Sequence, residues 1–338
     1  MIDFEVSRRT VLAGMAALPL TAGLARGASV GGIRQFDSAL AAVIDVNAPI
    51  EVIASGYKWA EGPVWVKQGG YLLFSDVPAN INYRWKSGKA EPFMNPSGLA
   101  GPIPAAIREA GSNGMVVDAK GRLIVADSGS RCVATVDLKT RKKTILADRY
   151  EGKRFNSCND VALHGNGTIY FTDPPYGLAD GDTSPLKELD FNGVFRIDPE
   201  GQVNLVANDL SRPNGVGVSP DQQTLYVSMS DEKRPHILAY PLDIEGGASD
   251  EPKILCDFSA ELAQKLPGLP DGMKVSRTGH LFASGPGGMY ILSPEGKKLG
   301  LISTGKAIAN CCFGEDGKTL FLTSSDMIAK VKLKISGW

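Results

Sequence analysis

The sequence predicts an all-β protein, a six-bladed β-propeller of four-stranded antiparallel blades. Three observations carry this. Six segments share one pattern, an oxygen-bearing side chain followed by two short apolar strands around a tight turn. Their leading residues, Glu61, Asn113, Asn159, Asn214, Asp271 and Asn310, lie 52, 46, 55, 57 and 39 positions apart, a blade-like period. A second hairpin follows most of these segments, and two hairpins make one four-stranded blade.

Taken in chain order, residues 1–30 stand apart from the fold. Ser7-Arg8-Arg9-Thr10-Val11-Leu12 is a twin-arginine pattern, Val11 to Leu24 is apolar and uncharged, and Ala25 to Ala28 offers a small-residue cleavage region. This predicts a secretion signal of the twin-arginine type, and so a periplasmic or secreted protein. Residues 31–338 are expected to form a single propeller domain with no membrane-spanning segment.

Within that domain, Ile50 to Ala54 is expected to pair with the C-terminal blade and close the ring. The six first hairpins run Glu61–Asp76, Asn113–Ser128, Asn159–Pro174, Asn214–Ser230, Asp271–Gly285 and Asn310–Asp326. Most turn at a glycine (Gly70, Gly121, Gly167, Gly279, Gly317), which supplies positive φ at little cost. Second hairpins read as Val133–Asp148, Gly193–Asn208 and Met289–Thr304, and Met327 to Ile335 reads as the last outer strand. Helical periodicity is confined to Ala105–Gly111 and Ser259–Leu266, both between blades.

Composition narrows the function classes. Of 338 residues, 43% are apolar, and 36 basic side chains balance 37 acidic ones at a formal charge of -1. Such balance gives no electrostatic footprint for nucleic acid. Gly285-Pro-Gly-Gly288 is not a dinucleotide fingerprint. The five cysteines, 132, 158, 256, 311 and 312, have no zinc-ligand spacing and are expected to be small buried residues. The three histidines fall in turns or loops (His164, His280, His236), which argues against zinc and against a Ser-His-Asp triad.

The leading residues carry the chemistry. The innermost strand of each blade lines the central channel, so its first residue lies near the axis. All six leading positions carry a carboxylate or carboxamide oxygen. Oxygen donors select hard cations, and the two carboxylates, Glu61 and Asp271, match the charge of a divalent ion. Some of the asparagines could instead hold substrate, and the alternative for the whole set is a wet channel lined by strand-capping residues.

Glu61-Gly-Pro-Val-Trp65, Asn159-Asp-Val161, Pro213-Asn-Gly-Val216 and Pro270-Asp-Gly-Met273 resemble the gluconolactonase and senescence-marker-protein-30-like family. That family also includes diisopropylfluorophosphatase-like phosphotriesterases. Phe171-Thr-Asp-Pro-Pro-Tyr-Gly177 is similar to its bacterial lactonase branch, and the resemblance spans Val52 to Asp326. It implies a six-bladed propeller with a divalent metal near the axis, calcium first, with Zn2+, Mn2+ or Mg2+ also compatible. Glu61, Asn159, Asn214 and Asp271 then stand at metal-ligand positions, and Asp271 doubles as the catalytic base or nucleophile. Asn113, Asn159, Tyr176 and Arg108 are the expected substrate contacts, with Asp173 as a further loop candidate; Asp160 is expected to orient Asn159 or close a turn, and Asn310 is unassigned.

The implied activity is hydrolysis of a small lactone, a sugar-acid lactone such as gluconolactone, by a monomer or small homo-oligomer. A phosphotriesterase on the same metal site and a non-enzymatic propeller with a structural ion are the competing readings.

Overall fold

A computed structural model describes residues 29–338. The twin-arginine pattern and the apolar run after it lie outside the described residues. Among the described residues, no helix is long and apolar enough to cross a membrane.

Six antiparallel sheets are arranged as the six blades of a propeller. The first blade uses the strands Ala60–Val66, Tyr71–Asp76, Ile81–Lys86 and Lys89–Met94; the second begins at Ser112–Val117 and ends at Lys143–Ala147. The third runs from Val161–Leu163 to Val203–Leu210, and the fourth from Pro213–Val218 to Lys253–Asp257.

Two blades borrow strands from the N-terminal segment. In the sixth, Asn310–Gly314, Thr319–Ser324 and Met327–Lys332 are completed by Glu51–Ser55. The expected ring closure is therefore present, and Met327–Lys332 is the third strand and not the outermost one. In the fifth, Gly32–Gln35 adds a fifth strand outside Lys298–Ser303. That strand has too few apolar residues to announce itself in the sequence.

The core explains why the second strands read as unbroken apolar runs. Successive side chains on a strand point to opposite faces, and each blade is covered on both faces by its neighbours. Leu123 and Val125 enter a cluster shared with the first blade, while Ile124 and Ala126 enter one shared with the third. Phe282 faces the sixth blade, while Leu281 and Ala283 face the fourth. Each of the six interfaces between adjacent blades holds one such cluster.

The glycines at the hairpin tips take positive φ as expected, 60° at Gly70 and 76° at Gly121. Ala105–Gly111 is not a helix. Ile107 forms a bridge with Leu178, and Arg108 donates its backbone N–H to the Gly177 carbonyl at 2.8 Å. The apolar side chains that looked helical, Ile107 and Ala110, pack on Leu178 from another loop. Of Ser259–Leu266, only Ser259–Leu262 is helical.

Candidate active site

The backbone first brings the leading residues together. In the first, second and fourth blades, the pairing between the two inner strands shifts just after the leading position. Such bulges re-aim a side chain. Glycine follows the leading residue in four blades, because the neighbouring blade passes there at close range. A Cβ on Gly62 would lie 1.9 Å from the Asn113 carbonyl oxygen, and one on Gly215 would lie 2.3 Å from that of Asp271.

A hydroxyl on the second strand of one blade then clamps the backbone of the next. Ser75 donates to the Asn113 carbonyl at 2.8 Å, Thr172 to that of Asn214 at 2.6 Å, and Ser228 to that of Asp271 at 2.5 Å.

The result is a cavity of about 550 Å³ lined by Glu61, Asn113, Asn159, Asn214 and Asp271, with Arg108 and Tyr176 contributed by long loops. All seven residues singled out as metal or substrate contacts meet there. Asn310 does not line it: its Oδ1 accepts the Cys311 N–H at 2.8 Å. Asp173 is fully buried elsewhere, its Oδ2 accepting the Asn156 N–H at 2.6 Å. Asp160 lies behind the cavity, accepting from the backbone N–H of Val161 and Val216 at 2.9 and 3.3 Å. None of the histidines lines the cavity. His236 opens a strand instead of lying in a loop. All five cysteines are buried and free.

The charges at the centre repel one another. Glu61 is 3% exposed and its Oε2 accepts the Gly62 N–H at 2.7 Å. Burial, reinforced by the charge on Asp160, pushes its carboxyl well above the usual range. Asp271 is pushed the same way by burial and by Glu61, Asp160 and Glu109. Buried like charges of this kind favour either a shared proton or a bound cation.

The donor chemistry fits a hard cation. The Asn214 Nδ2 donates to the Ser230 Oγ at 2.8 Å, which commits one amide hydrogen and leaves the Oδ1 as a donor for a ligand. Among the described residues there is no group of three or more His, Cys, Asp or Glu that could hold a metal. The donors available here are two carboxylates supplemented by neutral amide oxygens, a set suited to calcium and unsuited to zinc.

Sequence reasoning missed several lining residues. Glu109 stands beside Arg108, 4.0 Å from its guanidinium, and burial lifts its carboxyl to about 7. Ser230 directly follows the strand Thr224–Met229, which carries the clamp residue Ser228. Trp59 and Glu232 lie just outside the inner strands, and Leu262, Leu266 and Leu269 form an apolar wall. The wall comes from the connection between the strand Lys253–Asp257 and Asp271, whose direction toward the cavity is not readable from the sequence.

Known proteins supply an independent reference. Residues 59–326 match the family described as SMP-30/Gluconolactonase/LRE-like region. The chain is 47% identical to a gluconolactonase of Zymomonas mobilis subsp. mobilis, covering 100% of both chains. It is 25% identical to the diisopropyl-fluorophosphatase of Loligo vulgaris across 79% of this chain and 86% of that one. The solved structure of a gluconolactonase from Xanthomonas campestris has a TM-score of 0.78 at 29% identity, covering 92% of this chain and 99% of that chain.

Proposed function

This chain belongs to the SMP-30/gluconolactonase/LRE-like family, and from that premise we propose that it is a lactonase opening a sugar-acid lactone with a divalent cation, calcium first. The observation that carries the reading is the cavity itself, where a buried carboxylate, a half-buried one and three amides converge from five blades. The full-length similarity to a gluconolactonase supports the lactone over the phosphotriester, whose relative is only 25% identical.

Glu61, Asn159, Asn214 and Asp271 would hold the ion. When bound, a divalent cation supplies polarisation of the lactone carbonyl and offsets the two negative charges. Asp271 takes a proton from the attacking water. The water oxygen bonds to the carbonyl carbon, the ring C–O bond breaks, and the proton passes to the ring oxygen to give the open hydroxy acid. Asn113 and Arg108 are placed to hold the hydroxyls of the substrate.

Purified protein should hydrolyse a panel of aldonolactones, lose that activity on chelation, and regain it with calcium. Asp271→Asn and Glu61→Gln should each lower turnover roughly 1000-fold or more and reduce bound metal. Full activity with normal metal content in both variants would sink the mechanism. Faster hydrolysis of a fluorophosphate than of every lactone would favour the phosphotriesterase. The twin-arginine pattern supports export, and Arg8→Lys with Arg9→Lys should retain the protein in the cytoplasm on cell fractionation.

A further inference from the structure

The Tyr176 hydroxyl is buried and has no hydrogen-bond partner in the protein, although it belongs to a residue lining the catalytic cavity. Its neighbour Ser230 is engaged elsewhere. The Ser230 Oγ donates to the Pro270 carbonyl and accepts from the Asn214 Nδ2 at 2.8 Å. Ser230 and Asn214 stand beside the phenol, and the charge of Asp271 acts on it, but neither side chain meets the hydroxyl in hydrogen-bond geometry. Leaving a buried hydroxyl unpaired costs free energy, so its persistence in a reactive cavity points to a ligand atom as the missing partner.

The backbone carrying this hydroxyl is fixed in place. The Tyr176 carbonyl accepts from the Arg108 guanidinium. The Gly177 N–H donates to the Ser157 Oγ at 2.8 Å, and the Gly177 carbonyl accepts the backbone N–H groups of Arg108 and Glu109 at 2.8 and 3.2 Å. Two loops from different blades thus hold one phenol against the site, the kind of preorganisation an electrostatic contribution to catalysis requires.

We propose that Tyr176 is a further catalytic residue, its O–H donating a hydrogen bond to the lactone ring oxygen as that oxygen leaves. The inference rests on the lactonase reading above. Two oxygens gain negative charge in the reaction. The carbonyl oxygen is served by the cation in that reading, and the ring oxygen is the one still in need of a donor. The proton that ends on the ring oxygen is the one Asp271 took from water, so Tyr176 keeps its own.

The test is Tyr176→Phe in the full chain, which removes one oxygen and keeps the ring. With an aldonolactone, whose leaving oxygen is an alkoxide, kcat should fall on the order of 100-fold while KM stays within about twofold. With dihydrocoumarin, an aryl lactone whose phenoxide leaves unaided, the fall should be less than about tenfold. Calcium affinity should be unchanged, and the midpoint of thermal unfolding equal or higher, because the hydroxyl removed was unpaired. Unchanged kcat on the aldonolactone overturns the proposal, as does an equal loss on both substrates or a lowered unfolding midpoint. If the wild-type chain hydrolyses no lactone, the lactonase reading fails instead.

Discussion

Asp173 shows how a residue's environment decides between site and scaffold. It belongs to the Phe171–Gly177 motif, yet the chain buries it completely and leaves its Oδ1 without a partner. Burial lifts its carboxyl to about 7 from an ordinary 3.8, against the pull of the Asn156 and Ser157 N–H groups and of Arg131. A carboxyl whose pKa is raised by folding opposes the fold once ionised. Its contribution is absent below about pH 4, grows as pH rises toward 7, and amounts above that to a penalty of up to roughly 4 kcal/mol. In chelator, the protein should therefore be less stable to denaturant at pH 8 than at pH 5. Asp173→Asn, which cannot ionise, should shrink that difference, and superimposable pH–stability curves would refute the assignment. Ser230 gives a second residue-scale expectation. Its Oγ holds the Asn214 amide, so Ser230→Ala should free that amide to rotate and weaken calcium binding roughly tenfold by calorimetry, with the fold intact. Residue type alone could mark Glu61 and Asp271, because oxygen at a repeated position is visible in sequence. It could not mark Ser230, and it marked Tyr176 only as a substrate contact, because the finer roles depend on which atoms the neighbours have already engaged.

At the scale of the element, the repeat was legible because burial on both faces forces each second strand to be apolar throughout. The devices that aim the repeat were half legible. Glycine after the leading residue was part of the pattern, but the reason for it is the neighbouring blade. A Cβ on Gly272 would lie 2.0 Å from the Asn310 Cγ. Gly272→Ala should therefore push the fifth and sixth blades apart, costing about 1–3 kcal/mol and, since Asp271 precedes it, lowering turnover as well. A variant with wild-type stability and activity would show that the channel is looser than these contacts imply. The clamp hydroxyls were not legible, since Ser or Thr in a strand is also ordinary surface chemistry. Ser75→Ala, which releases the Asn113 carbonyl, should cost about 1–2 kcal/mol in chemical denaturation. The misread helix at Ala105–Gly111 has the same origin. Its apolar spacing is real, but the partner that satisfies it is Leu178 on another loop.

The whole molecule is a closed ring, and closure is where sequence order and spatial order part. Glu51–Ser55 completes the blade that contains residues 310–332, pairing Glu51 with Lys330 and Ser55 with Met327. Without it, Met327–Lys332 would be an exposed edge with unpaired backbone groups, a hazard for aggregation. The more N-terminal strand Gly32–Gln35 is different in kind. It lies outside a blade that already has four strands of its own. Between these two strands, Leu40, Val43 and Ile44 enter the core shared by the fifth and sixth blades. The two N-terminal strands should thus differ sharply in importance. Removing residues through Asp37 should lower the thermal midpoint by only a few degrees, because the core residues and the closing strand remain. Removing residues through Gly56 takes away both, opens the ring, and should leave a chain that aggregates and has lost lactonase activity. Both shortened chains behaving alike in differential scanning calorimetry would mean that closure does not rest on Glu51–Ser55. The predicted order follows from geometry: the cavity gathers donors from five blades, so the distances among Glu61, Asn113, Asn159, Asn214 and Asp271 are fixed only while the circle is complete.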